Sequence, residues 1–254
     1  MWPEGNGWRT VDEMAEEFER KLNEALNDFK EYRPAKETKP TDIELVLDIQ
    51  RRNVPKGHSL VREISGMSKK ALKALLRGDE ETLDLLKRKL VEAVTNLHLL
   101  DLPDGQQARV FDGTKEYGEF VFASIICPVI LYGKPLPEKL PVAFELLADP
   151  KTYAHCIIES FGEASRKMGE FLMRTDISDL DIRVAARQRF IALATVTCNV
   201  YKERLLEFDP QLKAGRFWRS SLRGMVDNLG AIIRRHVDTL NHIFDTLSAR
   251  RAGL

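Results

Sequence analysis

Four glutamates and a histidine fall at spacings suited to acid–base or metal chemistry. In Lys115-Glu116-Tyr117-Gly118-Glu119-Phe120, the two glutamates stand three residues apart and so share one face of a helix. That face continues through Ala123, Ile126, Cys127 and Ile130, and the opposite side carries Val121, Ile125 and Leu131. Beyond Glu119 the segment is apolar nearly all round. Carboxylates in line with a core-facing stripe are partly withdrawn from water, which is costly unless they are paired or bind a cation. The complementary set lies in Tyr153 to Arg166, where Glu159 and Glu163 are one turn apart, with His155 a turn before and Arg166 just after. If the two helices pack side by side, four carboxylates converge with an imidazole nearby, and such oxygen donors suit Mg2+ or Mn2+ rather than zinc. The competing reading is a solvated stripe of Glu159, Glu163, Arg166 and Glu170, since such pairs are common on helix surfaces. His155 alone reads as a surface or packing residue.

The elements that must position these groups are all helical. Thr10 and Glu13 have capping-box spacing, followed by a helical stripe of Val11, Met14, Phe18, Leu22, Ala25, Leu26 and Phe29. A polar, proline-marked link spans 33–40, and Thr41 and Glu44 repeat the capping box. The next helix is expected to run to about Leu76 with a break near Pro55, closed by Gly78. Asp79 then caps a helix whose stripe is Leu83, Leu86, Leu90, Val94 and Leu97. After a turn at Leu102 to Gly105, a helix is expected over Gln106 to Tyr132, with a short one around Phe144 to Leu147. Longer ones cover Thr152 to Arg174, Leu180 to Glu207 and roughly Arg216 to Ser248. No alternating strand pattern appears, so the fold class is an all-α bundle.

Composition limits the partners. The chain has 254 residues, with 39 Lys+Arg against 39 Asp+Glu, so any hold on nucleic acid or an anionic membrane needs a local basic patch. At 43% hydrophobic and 31% charged residues it can bury a real core. Cys127, Cys156 and Cys198 form no metal-binding spacing and read as reduced core thiols of an intracellular protein. The N-terminal residues have neither the basic start nor the apolar stretch of an export signal, so a cytoplasmic location is expected, with the nucleus as the alternative. The longest apolar run, Phe120 to Tyr132, is interrupted by Ser124 and Pro128 and falls short of the roughly 20 residues of a membrane span.

At these residues the chain resembles the translin superfamily, and within it the Trax (translin-associated factor X) branch, over about residues 57 to 245. Three blocks carry the resemblance. The first is Arg62-Glu63-Ile64-Ser65 followed by Ser68-Lys69-Lys70 and the helical run ending at Arg77. The second is Glu116-Tyr117-Gly118-Glu119, like the family's Glu-Tyr-x-Glu. The third is Tyr153 with Glu159, Gly162-Glu163 and Arg166, like Tyr…Asp-x-x-Gly-Glu-x-x-Arg. The resemblance implies a bundle of about seven helices over 41–254, assembling into a hollow, octamer-like shell with a translin-type partner or with itself. Residues 1–40, an amphipathic helix and linker, have no match in it. It further implies a Mg2+-dependent (or Mn2+-dependent) endoribonuclease acting on single-stranded RNA, in RNA processing and silencing. The translin branch lacks the Glu-Tyr-x-Glu pair, so Glu116 and Glu119 place this chain on the Trax side. Glu159 departs from the pattern, standing where Trax usually has Asp; the extra methylene bears on how a metal would sit.

On that reading Glu116, Glu119, Glu159 and Glu163 are the catalytic and metal-binding set. Glu119 and Glu163 are expected as direct ligands, and Glu116 and Glu159 as a further ligand and a general base in either order. Arg62, Lys69, Lys70, Arg166 and Lys167 are the candidate phosphate contacts. Arg216, Arg219 and Arg223 read as a solvated or intersubunit face, and Lys87, Arg88 and Lys89 as plain surface. Two further readings compete: a non-catalytic scaffold that binds single-stranded RNA or DNA, and a helical interaction protein whose acidic stripes are only surface.

Overall fold

Thr10 and Glu13 make both hydrogen bonds of the box their spacing predicts: the Glu13 N–H donates to Thr10 Oγ1 at 3.1 Å, and the Thr10 N–H to Glu13 Oε2 at 3.2 Å. They open α1 (Val11–Asn27) in a computed structural model that describes residues 10–27, 43–100, 115–142, 145–146, 148, 150–174, 180–208 and 215–251. The other helices are α2 (Ile43–Arg77), α3 (Glu80–His98), α4 (Lys115–Tyr132), α5 (Pro150–Arg174), α6 (Leu180–Phe208) and α7 (Gly215–Arg251). Among the described residues there is no strand, and no helix is long and apolar enough to cross a membrane. The link at 33–40, the Thr41 capping box, the turn at 102–105 and the helical reading of 106–114 lie outside the described residues. Of the short helix expected around Phe144 to Leu147, the described Glu145 and Leu146 form a turn, closed by the Leu146 N–H on the Val142 carbonyl at 3.2 Å.

One expectation is corrected. Helix α2 runs through Pro55 without interruption. Proline removes one backbone donor, but Pro55 and Arg51 are both exposed, so water can satisfy the carbonyl left over. The end of α2 follows the sequence closely. Gly78 takes φ +73°, the Asp79 N–H reaches the Ala74 carbonyl at 3.0 Å, and the Gly78 N–H reaches Leu75 at 3.2 Å, a Schellman closure. Asp79 Oδ1 then accepts from the Thr82 N–H at 3.1 Å and caps α3.

Two apolar clusters meet on α4. The first lies between α2 and α3, where Ile64, Ala71 and the Leu83–Leu97 stripe enclose Phe120. The second joins α1 with α4, α5, α6 and α7. At its centre Phe161 of α5 meets Phe18 of α1 and Phe190 of α6 edge to face, with centroids 6.5 and 5.8 Å apart. Tyr117 and Val121 touch both clusters, which explains why the α4 sequence is apolar nearly all round. All three cysteines are buried free thiols.

Long polar side chains tie the ends of these helices. Arg189 of α6 donates to the carbonyls of Ile130 (2.8 Å) and Leu131 (3.3 Å), closing the end of α4 beside Gly133 at φ +64°. Arg204 of α6 closes α1 through the Asn23 carbonyl (3.1 Å) and Asn27 Oδ1 (2.8 Å). Buried Lys21 of α1 holds the chain after α4 through the carbonyls of Pro137 and Glu138, with Glu17 balancing its charge at 2.9 Å.

Helices α4 and α5 come together where Gly118 faces Cys156. A Cβ on Gly118 would lie 2.5 Å from Cys156 Sγ and 3.1 Å from its Cβ. Gly118→Ala is expected to destabilise the fold by about 1–3 kcal/mol through overpacking. Adding Cys156→Ala should recover part of that loss, because the atom in the way is Sγ. Urea unfolding of the two variants beside wild type checks this, and a double variant no better than Gly118→Ala would refute the steric account.

Candidate functional site

The close approach at Gly118 puts the acidic segments of α4 and α5 beside one another. Glu116 is half-buried, with 20% of its side chain exposed, and its Oε1 lies 3.2 Å from Lys69 Nζ of α2. Burial pushes its pKa up. Hydrogen bonding at its own backbone and the Lys69 and Ser65 side chains outweigh that, so Glu116 stays below the ordinary carboxylate range. Glu163, 22% exposed, is held by Arg166, whose Nε donates to Glu163 Oε2 at 3.0 Å and whose Nη2 reaches the same oxygen. Glu159 is 49% exposed, with its Oε1 4.0 Å from His155 Nε2.

Glu119 differs from these three. It is half-buried and makes no hydrogen bond or ion pair among the described residues. Burial raises its pKa, Glu163 and Glu159 raise it further, Lys115 offsets part of this, and Glu116 adds to it. Four negative groups therefore act on one another around Glu119. Half-buried His155 is shifted the opposite way: burial and Lys115 lower its pKa, Glu159 partly opposes them, and the imidazole is neutral at neutral pH. Cys127, in the core below, is pushed up to about 12 by burial and then by Glu163, so it is an inert thiol.

The proposed phosphate contacts divide. Lys69 and Arg166 are the ion-pair partners of Glu116 and Glu163 and flank the acidic group directly. Arg62 is exposed on the α2 face that carries Ser65 and Lys69, two turns from Lys69; Lys70 is exposed on the adjoining face. Lys167 is mostly covered and lies 3.8 Å from Glu170. Lys87, Arg88, Lys89 and Arg223 are exposed, and the side chains of Arg216 and Arg219 lie outside the described residues. Ser65 and Lys115 were missed as site residues, although Ser65 stands one turn before Lys69 on one helical face.

As a metal site the donor set fits in chemistry but not in its present pairing. Its oxygens suit a hard cation, and Lys115 offsets only part of the cost of burying Glu119. Among the described residues, however, no three His, Cys, Asp or Glu side chains stand ready to hold one ion. Lys69 pairs with one oxygen of Glu116 and Arg166 with one oxygen of Glu163, so two of the four carboxylates are already neutralised.

Neither a protein-family model nor a curated protein matches the chain. Among solved structures, the crystal structure of apo-NeC3PO superposes with a TM-score of 0.54, covering 81% of this chain and 99% of that one at 17% sequence identity. This chain shares the helical fold of that protein. Identity this low speaks for the fold alone.

The raised pKa of Glu119 has a consequence for stability. Its favourable contribution is fully present below its ordinary value of 4.5 and is lost as pH rises through its folded value. Ionised, Glu119 works against folding. Glu119→Gln should therefore unfold at higher urea concentration than wild type at pH 7, with the difference shrinking towards pH 4. Equal midpoints at pH 7 would show that Glu119 carries no electrostatic penalty.

Proposed function

We propose that this chain is a metal-dependent endoribonuclease acting on single-stranded RNA, the Trax-type subunit of a translin-type oligomer built with a partner or with copies of itself. The observation that carries this reading is the half-buried, unneutralised Glu119 among Glu116, Glu159 and Glu163. The translin/C3PO-type fold supports the same class of protein.

Glu119 and Glu163 would hold a Mg2+ or Mn2+ ion, with Glu116 and Glu159 supplying a further ligand and a general base. When bound, such an ion supplies Lewis acidity and a more acidic bound water. The protein's own part is to orient and to attract. Glu116 and Glu119 are fixed by the core packing of α4, and Glu159 and Glu163 by that of α5. Lys69 and Arg166, once released from their carboxylates, can pair with backbone phosphates at the rim. Neutral His155, beside Glu159, can accept a proton at that edge.

A second reading is favoured by a specific observation. Glu116 and Glu163 are already neutralised by Lys69 and Arg166, and Glu159 is the most exposed of the four where the family pattern has Asp. On this reading the chain is a scaffold that binds single-stranded RNA or DNA without cutting it.

A labelled single-stranded RNA, incubated with the purified oligomer in Mg2+ or Mn2+, separates the two. Cleavage that is abolished by EDTA and falls at least about 100-fold in Glu119→Gln, with RNA binding retained, is the expected result. Binding without cleavage across both metal titrations supports the scaffold, and cleavage indifferent to EDTA and to Glu119→Gln defeats the metal mechanism. Light scattering on the same sample reads the assembly, which should be far heavier than the monomer of 29.0 kDa.

A further inference from the structure

Three helices bring together a second polar group that the acidic site does not use. His236 of α7 is 8% exposed, its ring against Phe190 of α6 with centroids 4.3 Å apart. Its Nδ1 lies 3.0 Å from Arg187 Nη1 on α6, and its Nε2 lies 2.9 Å from Ser165 Oγ on α5. A guanidinium can only donate, so Nδ1 accepts and the ring proton sits on Nε2, donating to Ser165. Ser165 is left with its own hydroxyl proton to give.

A serine and a histidine in contact suggest a nucleophile and its base, but the tautomer rules that out. A base would have to accept at Nε2 while a carboxylate holds Nδ1–H; here a cation holds Nδ1. Burial, then Arg187 and Arg235, lower the His236 pKa to about 4, so at neutral pH the ring stays neutral and fixed as a donor.

What remains are donors and positive charge. Arg187 Nε is buried and has no hydrogen-bond partner among the described residues. Arg183 stands one turn earlier on the same face of α6, close enough that its charge, after burial, lowers the Arg187 pKa. Arg235 adds a further charge beside His236, and among the described residues no carboxylate is one of the charges acting on Arg187 or His236. A small group with several acceptor oxygens and negative charge complements this set, and the planar guanidinium fork matches a phosphate.

We propose that Arg187, Ser165 and His236, with Arg183 and Arg235 at the margin, form a phosphate-type oxyanion site on a different face of α5 from Glu159 and Glu163. His236 is a positioning residue here: it aims the Arg187 fork and turns the Ser165 hydroxyl outward. The phosphate is either free or part of a nucleic-acid strand, and the site does not depend on the nuclease reading.

The test follows the His236 ring nitrogens by NMR in the full chain. One arm titrates sodium phosphate at constant ionic strength against chloride; the other uses a short single-stranded oligonucleotide without a terminal phosphate. A saturable shift in either arm, weakened roughly tenfold or more in Arg187→Gln and in Ser165→Ala, is expected. Saturation by phosphate alone identifies a free phosphate, and saturation by the oligonucleotide identifies the strand. No saturable shift in either arm, or one that survives both substitutions, overturns the proposal. Ser165→Ala removes only a half-buried hydroxyl and decides the question if Arg187→Gln does not fold.

Discussion

The contact between Gly118 and Cys156 is the constraint on which the candidate site depends. Any side chain at position 118 would meet the Cys156 sulfur well inside contact distance, so α4 and α5 can approach this closely only because one of them lacks a Cβ. Glu116 and Glu119 flank that glycine on α4, and His155 and Glu159 flank the cysteine on α5. The same contact therefore sets the helix spacing and brings the carboxylates within electrostatic reach of one another. The Cys156 thiol also lies 3.3 Å from the Lys115 carbonyl, at the first turn of α4.

Around that contact, the rest of the bundle limits how α4 can move. One side packs on α2 and α3 through Phe120, and the other enters the main core through Phe122, whose ring meets Tyr153 at 5.2 Å. Its C-terminal carbonyls are closed by Arg189 from α6. A helix gripped on both faces and at one end can keep acidic side chains half out of water, because the apolar burial along its length offsets the electrostatic cost. Glu119 carries the largest share of that cost, while Glu116 and Glu163 are compensated by cations from α2 and from their own helix.

The sequence and the structure agree most closely where the signal is local. The capping box at Thr10, the glycine stop at Gly78 and the Asp79 cap all involve partners within five residues, and all form as read. The leucine stripe of α3 is buried as its period requires. Pro55 failed as a boundary because a proline break also depends on whether water can reach the orphaned carbonyl, a property of the surroundings. Arg166 and Glu163 stand three residues apart on one helix and pair as that spacing allows, whereas the pairing of Lys69 with Glu116 was not legible, since Lys69 reaches Glu116 from a separate helix.

By itself, the sequence determined the helices, their amphipathic faces and the residue types of the acidic group, because each follows from periodicity and from neighbours one or two turns away. Only the tertiary structure decided that Glu116 is neutralised from another helix and that the burial of Glu119 is offset only in part, since burial and charge coupling depend on distances between helices. It alone also brought Ser165, Arg187 and His236 together from three helices. Nothing in their spacing along the chain marks them as partners, and their chemistry exists only once the bundle has closed.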